Sequence, residues 1–304
     1  MLKSKALTDM VNSIYFDLKT KRYSIIQKNQ EVLSNNDKYI QLSNELGNAR
    51  FLLAKAEYLG DEFETAKLKS QVKTLEELIE KLISTLPIIK YNYKCTKCKD
   101  TGVFNGKNCR CYNKYLTKTV MQFLEIPETE GVSFSSVIPT PDLNKQIKII
   151  KNYADNFPNT QINNMVFIGN VGTGKTMLSK CVLSSAKNTD NIAVFLNASD
   201  LNNIFLKIHT AQIDRTLTFE VLSDCDLLII DDLGTENLFK NVTVEYLLSL
   251  ISCRIERNKH FIITTNLTTQ ELYERYTERL FSRLSDKSKT LFIPFNSSDK
   301  RMQK

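Results

Sequence analysis

The sequence predicts an α/β core with a parallel sheet of about five strands, preceded by an α-helical region and a four-cysteine module. Three observations support this fold class. Short apolar runs alternate with amphipathic segments between residues 162 and 296, a glycine-rich turn follows the first of these runs, and residues 1–87 have a helical composition. The expected domains are a helical hairpin at 1–87, the cysteine module at 88–124 and the α/β domain at 125–304.

The composition is that of an ordinary globular protein. Hydrophobic residues make up 42% of the 304 residues and charged residues 25%, with a net charge of +7. The longest apolar run, residues 192–196, is much shorter than a bilayer span or the core of a signal peptide. We therefore expect a soluble, intracellular protein without membrane contact.

Residues 1–87 are expected to form helices, because no proline precedes Pro87 and apolar residues recur at steps of three and four. Two such heptad seams are present, formed by Leu42, Leu46, Ala49, Leu53 and Ala56 and by Leu68, Val72, Leu75, Ile79, Leu82 and Leu86. Gly60 and Asp61 separate the seams. We therefore expect two long helices folded back on each other, preceded by a shorter helix near residues 5–30.

Four of the seven cysteines are close together in the sequence: Cys95, Cys98, Cys109 and Cys111. Four thiolates at this spacing can surround a tetrahedral Zn²⁺ ion, and an iron–sulfur cluster is the alternative that the sequence leaves open. The surrounding residues 88–118 include eight lysines or arginines and one acid, Asp100. This segment is either an anion-binding or nucleic-acid surface or a solvated charged face.

A phosphate-binding motif joins the first predicted strand of the core to the helix after it. It has the pattern G-x-x-x-x-G-K-[ST] and consists of Gly169, Asn170, Val171, Gly172, Thr173, Gly174, Lys175 and Thr176. Glycines let backbone N–H groups turn toward an anion, and the helix N-terminus adds partial positive charge. Lys175 is expected to contact the β- and γ-phosphates of a nucleotide, and Thr176 to ligate Mg²⁺.

The other elements of the core alternate along the chain. Predicted strands lie at 165–168, 192–197, 225–232, 261–266 and 290–295, and predicted helices at 145–157, 177–183, 200–209, 242–257 and 278–284. The prolines between residues 125 and 142 indicate an irregular connector before the first of these helices.

Polar side chains end two of the predicted strands. Asp231 and Asp232 end the strand at 225–232, and Asn266 ends the next one. Ligands bind at the carboxyl ends of parallel strands. We therefore expect Asp231 to hold Mg²⁺ through water and Asp232 to orient or deprotonate an attacking water. Asn266 is expected to hydrogen-bond this water or the γ-phosphate.

Together these motifs resemble those of AAA+ ATPases, and most closely the bacterial replicative helicase loaders of the DnaC and DnaI type with the related transposon helper ATPase IstB. The resemblance covers about residues 125–301. The motifs are Gly169-x-x-Gly172-x-Gly174-Lys175-Thr176, Leu228-Ile229-Ile230-Asp231-Asp232-Leu233-Gly234-x-Glu236, Thr264-Thr265-Asn266 and Ser282-Arg283-Leu284. The four-cysteine module is also similar to that of DnaI-like loaders.

The resemblance assigns roles to these residues. It implies a P-loop AAA+ ATPase domain in which Asp231 and Asp232 form the Walker B pair and Asn266 is sensor 1. Arg283 is the arginine finger that reaches a neighbouring subunit's nucleotide, with Arg279 as the next candidate. The implied catalytic residues are Asp232, Asn266 and Arg283, and the implied cofactors are ATP, Mg²⁺ and Zn²⁺.

Two features depart from the family pattern. AAA+ proteins commonly have glutamate at the position of Asp232, and the shorter side chain predicts slow hydrolysis. About nine residues follow the last predicted strand, too few for a full helical lid, and so no sensor 2 role is assigned to Arg301.

The function that the resemblance implies is that of an ATP-dependent loader in the cytoplasm, in the bacterial cytosol or nucleoid. Such a protein binds the hexameric replicative DNA helicase and delivers it to single-stranded DNA at initiation or restart of replication, forming a homo-oligomer when it binds nucleotide. The alternatives are a transposase helper ATPase that acts on duplex DNA, and an adaptor in which bound ATP stabilises the fold without significant turnover.

Overall fold

The computed structural model describes residues 5–127, 129–189 and 191–296. These residues form two compact units, one made by Ile14–Thr101 and the other by the described parts of Met1–Ser13 and Gly102–Lys304. Across these ranges, no helix combines the length and the apolar character that a membrane crossing requires.

Three long helices make up most of the N-terminal region: α1 (Lys5–Ser34), α2 (Asp37–Leu59) and α3 (Glu62–Thr85). The expectation of a shorter first helix is wrong, since α1 has 30 residues and is longer than α2 and α3. Neither glycine nor proline occurs between its two ends, so that nothing in the sequence interrupts it. The side chain of Asn36 then caps α2 by accepting a hydrogen bond from the N–H of Tyr39.

The expected helical hairpin is formed by α2 and α3, which pack against each other. Gly60 ends α2 in a left-handed conformation with φ of 72°, and Asp61 caps α3 by accepting from the N–H of Glu64. The residues that the hairpin buries all belong to the two predicted seams: Ala49, Ala56, Leu68 and Leu75. The apolar spacing therefore placed the packed faces correctly.

A short antiparallel hairpin, β1 (Val103–Phe104) and β2 (Lys107–Asn108), follows the first cysteine pair and leads to α4 (Arg110–Phe123). The sequence analysis does not predict α4. Its Lys, Asn and Thr residues lower the apolar content of the segment, although Leu116 and Val120 on one face are almost completely buried. A 3-10 turn at Phe134–Ser136 lies in the expected connector.

The core contains five strands and six helices among the described residues. In chain order they are α5 (Asn144–Asn156), β3 (Asn164–Gly169), α6 (Lys175–Lys187), β4 (Ala193–Asn197), α7 (Ala198–His209), α8 (Arg215–Asp224), β5 (Leu227–Leu233), α9 (Thr243–Glu256), β6 (His260–Thr265), α10 (Thr269–Leu284) and β7 (Thr290–Phe295). Helix α8 and the first half of α10 are not predicted by the sequence analysis.

All neighbouring strands of this sheet are parallel, in the order β4-β5-β6-β3-β7. Helices α5 and α6 pack together, as do α7, α8 and α9, and helices of both groups contact the strands. Side chains at both alternating positions of the central strands are therefore covered, as the fully buried Leu228 and Ile229 show. Burial of one such side chain contributes roughly 1.5–3 kcal/mol. The predicted α/β class with a five-stranded parallel sheet is confirmed.

A buried histidine lies where β6 begins. The Nδ1 atom of His260 lies 2.9 Å from the hydroxyl oxygen of Tyr153, and the ring packs edge-to-face on Phe157 at a centroid distance of 4.9 Å. Burial lowers the pKa of His260 to about 4. The ring is therefore neutral near pH 7.

The free energy of unfolding should fall as the pH falls from 7 to 5, in part because of His260. In the unfolded chain its ring takes up a proton below about pH 6.5, whereas in the folded chain it does so near pH 4. The unfolded state thus binds more protons between these values, and this residue alone removes about 2 kcal/mol by pH 5. Urea unfolding at both pH values, followed by circular dichroism, measures this for the parent and for His260→Phe. An equal pH dependence in the two proteins would contradict the prediction.

Candidate functional site

The phosphate-binding motif forms the loop between β3 and α6. Gly169 has φ of 151°, and a Cβ atom there would lie 2.1 Å from the carbonyl oxygen of Phe295 on β7. Gly174, with φ of 96°, precedes the first residue of α6. Both positions therefore require glycine, one for a close backbone approach and one for a left-handed conformation. The hydroxyl of Thr173 closes the loop by donating to the carbonyl oxygen of Asn170 at 2.8 Å.

The ammonium group of Lys175 lies at the centre of this loop. It donates to the carbonyl oxygens of Gly169 and Asn170 at 2.6 and 2.7 Å and to Oδ1 of Asn266 at 2.8 Å. The side chain is almost completely buried, with 4% of its surface exposed. The loop thus holds a desolvated cation next to backbone N–H groups at a helix N-terminus, an arrangement suited to phosphate.

Asp231 lies at the carboxyl end of β5, where two hydroxyl groups contact it. Its Oδ1 accepts hydrogen bonds from Thr176 at 3.1 Å and from Thr264 at 2.6 Å. Burial raises the pKa of this carboxyl above its usual range, and the two hydroxyl hydrogen bonds oppose the rise. Thr264 is a residue that the sequence analysis missed. Its position directly before Thr265 and Asn266 was the available signal.

Asp232 follows in a left-handed conformation with φ of 55°. The pairing of β5 with β6 shifts register between Ile230 and Leu233, and this bulge turns Asp232 out of the ladder. Its backbone N–H donates to the hydroxyl oxygen of Thr264 at 2.9 Å. The same threonine therefore fixes both acids.

A cleft of about 500 Å³ opens above these groups. Lys175, Thr176, Asp232 and Asn266 line it together with most of the phosphate-binding loop. Asn266 comes from the end of β6, which lies between β5 and β3 as its expected role requires. The structure thus brings the predicted groups of three strands to one cavity.

The cleft is also lined by three residues that the sequence analysis did not assign to the site. Met177 and Lys180 belong to α6, and Val132 belongs to the connector. The connector packs closely on α6, because a Cβ atom on Gly131 would lie 2.6 Å from that of Ser184 and the N–H of Val132 donates to the carbonyl oxygen of Lys180 at 3.3 Å. The connector therefore forms one wall of the cleft.

Arg283 is not part of this cavity. It lies exposed on α10, after a break at Thr277 where φ is 74° and ψ is 155°. Within the described ranges, no arginine lines the cleft and Arg283 makes no ion pair. Arg279 is also exposed. Arg301 lies outside the described residues.

The oxygen atoms near the phosphate-binding loop fit a magnesium ion. Thr176 and Asp231 place a hydroxyl and a carboxylate 3.1 Å apart at the edge of the cleft. Mg²⁺ prefers oxygen ligands and usually keeps several waters, so that one or two protein ligands suffice. The residues proposed for Mg²⁺ are therefore positioned consistently with that role.

The four cysteines of the predicted module form a cluster within one short stretch of chain. The sulfur atoms of Cys95, Cys98, Cys109 and Cys111 all lie within 4.8 Å of one another. Thiolates that share one Zn²⁺ ion at about 2.3 Å are about 3.8 Å apart, so this spacing is compatible with zinc.

Asp100 organises the first cysteine pair, a role that the sequence analysis missed. Its carboxylate accepts from the N–H groups of Lys94 and Cys95 at 3.0 and 2.7 Å and from the hydroxyl of Tyr91 at 3.0 Å. The single acid in a basic segment was the signal that could have identified it. A carboxylate with this many donors fixes the backbone around Cys95.

Comparison with known proteins extends these observations. The family model for IstB-like ATP binding proteins matches residues 140–303, more than half of the 304-residue chain. No curated protein was found to match the sequence.

Several solved structures are similar in part. AMPPCP-bound DnaA from Aquifex aeolicus has 19% identity and a TM-score of 0.47, and the match covers 55% of this chain and 51% of DnaA. A structure titled as the DnaC helicase loader has 23% identity and a TM-score of 0.47 over 53% of this chain and 96% of that one. DnaI has 17% identity and a TM-score of 0.47, and the match covers 60% of this chain and 93% of DnaI. This chain thus spans about half the length of the DnaA structure. The family match identifies the chain itself, which belongs to the IstB-like ATP-binding protein family.

Proposed function

We propose that this protein is an ATPase that loads the replicative DNA helicase onto single-stranded DNA, with nucleotide binding and hydrolysis controlling its assembly. The observation that carries the ATPase and assembly parts of the proposal is the composition of the cleft. Its described lining contains the groups for phosphate, metal and water but no arginine, while Arg283 lies exposed elsewhere on the core. A second copy of the chain can supply the missing cation.

Nucleotide binding begins with Lys175. Its ammonium group is bonded to neutral oxygens of Gly169, Asn170 and Asn266. A triphosphate offers charged acceptors in place of neutral ones, and charge-assisted hydrogen bonds are roughly twice as strong. Thr176 and Asp231 would hold Mg²⁺, which neutralises phosphate charge when bound. Val132 and Met177 add apolar surface to the cleft for the rest of the nucleotide.

Hydrolysis is assigned to Asp232 and Asn266. Asp232 lines the cleft beside the phosphate-binding loop and accepts a proton from, or orients, the attacking water. Asn266 lies between the acidic strand and the loop and releases Lys175 when phosphate binds. Because Asp232 is one methylene shorter than the usual glutamate, we expect slow turnover that assembly stimulates.

Helicase binding is assigned to the N-terminal region. The match to the family model begins at residue 140, so the three long helices and the cysteine cluster lie outside it. The cysteine module resembles that of DnaI-like loaders, and IstB-like transposase helpers generally lack such a module, which favours the loader over the transposase helper. The domain division at 87 and 124 is part of this proposal.

Lys175→Ala should weaken ATP binding by about two orders of magnitude, because it removes a buried cation whose bonds to phosphate are each worth about 1.5–3 kcal/mol. Asp232→Asn should bind ATP with the parent affinity and fail to hydrolyse it. Fluorescent-nucleotide titration and phosphate release measure the two effects. Lys151→Ala is the control, because this exposed lysine of α5 does not line the cleft. Parent-like affinity of Lys175→Ala would refute the assignment of the loop.

Arg283→Ala should retain ATP affinity and lose hydrolysis by about 10³-fold or more, as expected for an arginine finger. Mixing it with Asp232→Asn should restore activity, because neighbouring copies then combine an intact acid with an intact arginine. In an equal random mixture, on the order of a quarter of the interfaces join an intact Asp232 to an intact Arg283. Arg279→Ala, at the next candidate position one turn earlier, should hydrolyse ATP at the parent rate, and loss of hydrolysis in this variant alone would make Arg279 the finger. A mixture as inactive as its components would show that Arg283 does not act between subunits.

Cys98→Ser should lose stoichiometric zinc in metal analysis and lose capture of the replicative helicase in a pull-down, because metal binding supplies much of the stability of so small a module. Its nucleotide affinity should equal that of the parent, since Cys98 is remote in sequence from the described cleft lining. Cys253→Ser, outside the cluster, controls for loss of a thiol. Full helicase capture by the zinc-free variant would place the docking surface on the core.

A further inference from the structure

The N-terminal unit, Ile14–Thr101, contains a groove of about 470 Å³, and the helicase-binding role proposed above is assigned to none of its residues in particular. One wall is a face of α1, and the other is the loop after the first cysteine pair. We call it the α1 groove. The residues that carry the argument are Phe16, Lys19, Arg22, Tyr23 and Ile26 on α1 and Lys99 on the loop.

Two aromatic rings are exposed along this groove. Phe16 is 68% exposed and Tyr23 is 55% exposed. They are seven residues apart, so they lie on one face of the helix at an axial separation of about 10.5 Å. This is roughly the rise of three stacked nucleotides at 3.4 Å each. Exposed rings at such a spacing provide flat surfaces on which bases can stack.

Three cations surround the rings. Lys19 lies one turn from each ring, and its Nζ is 5.7 Å from the centroid of Tyr23. Arg22 lies over the ring of Tyr93 at 5.5 Å, and Lys99 is exposed on the opposite wall. The groove therefore places positive charge on both sides of its aromatic surface.

The groove lining contains one acid, Asp100, against these three cations, so the charge of the groove stays positive. Asp100 directs its carboxylate oxygens to the N–H groups of Lys94 and Cys95 and to the hydroxyl of Tyr91. These hydrogen bonds hold the backbone at the first cysteine pair. The groove thus presents rings and cations together, which complements a polyanion with exposed bases.

We propose that the α1 groove binds single-stranded nucleic acid. Phe16 and Tyr23 stack on bases, and Ile26 extends the apolar surface. Lys19, Arg22 and Lys99 contact phosphates. The excess of cations beside the exposed rings favours this ligand over an apolar protein helix, which would leave the cations without counter-charges. The site is separate from the nucleotide cleft, and binding there does not depend on ATP.

The test is a fluorescence-anisotropy titration of a labelled 20-mer of dT with the full chain in the absence of nucleotide. The parent should bind, and Phe16→Ala and Tyr23→Ala should each weaken binding about fivefold or more. Tyr23→Phe should retain the parent affinity, because it keeps the ring. The matched control is Phe51→Ala with Tyr58→Ala, a pair that is also seven residues apart on a helix of the same unit and is 71% and 90% exposed. The control should bind as the parent does.

The salt dependence tests the cations. On a single strand each phosphate contact contributes about 0.7 to the slope of log affinity against log salt concentration, so Lys99→Gln should lower the slope by about that amount. Circular dichroism and zinc content establish that each variant remains folded. An unchanged slope would remove Lys99 from the site.

Three outcomes would overturn the proposal. They are the absence of nucleotide-free binding, equal loss of affinity in the groove variants and in the control pair, and equal affinity for duplex DNA, whose bases are not available for stacking. Loss of helicase capture in the groove variants with unchanged dT affinity would identify the groove as a protein-docking surface instead. None of these results bears on the ATPase assignments, because no nucleotide is present.

Discussion

The buried ammonium group of Lys175 is the constraint on which the rest of the site depends. A desolvated cation is costly unless its donors are satisfied, and three neutral oxygens do this at 2.6–2.8 Å. Two of them come from the end of β3 and one from Asn266 after β6, so these strands must be neighbours in the sheet, as they are. The glycine at position 169 allows the closest of these approaches, because the backbone of β7 leaves no room for a side chain. The ammonium group of Lys175 is thus hydrogen-bonded to neutral oxygens that a phosphate can replace.

The acids of β5 show how the sheet holds carboxylates at a buried position. Burial raises the pKa of Asp231, and Thr176 and Thr264 counter this by donating hydroxyl hydrogen bonds to its ionised form. Thr264 also holds the backbone of Asp232 at the bulge. Removing the hydroxyl of Thr264 would therefore disturb both the acid proposed to bind metal and the acid proposed to act on water. A motif defined by its acids depends equally on the strand beside it.

The sequence was sufficient for the fold class and for the groups that meet in the cleft, because both follow from strong local signals. Long apolar strands, a glycine-rich turn and acids at a strand end have few alternative explanations. The helix α8 and the true length of α1 were missed because their residues are mostly polar and carry weak periodicity, so tertiary packing decides their boundaries. The roles of Thr264 and Asp100 were not predicted either, because the signals at these positions mark the residue without naming its partner. Each depends on a partner that the chain brings close only after folding, whether from another strand or through a local turn.

Glu236 connects the acidic strand to the helix that carries Arg283. Its carboxylate is buried, accepts from the N–H of Gly234 at 2.9 Å, and is hydrogen-bonded by the hydroxyl of Tyr276 on α10. Arg275 donates to its backbone carbonyl. These bonds join the turn two residues after Asp232 to the first half of α10, directly before the break at Thr277. Because a buried carboxylate that loses its donors is strongly disfavoured, a shift of this turn must carry the first half of α10 with it or break these bonds. The break at Thr277 separates this anchored first half of α10 from the second half, which carries the exposed Arg283.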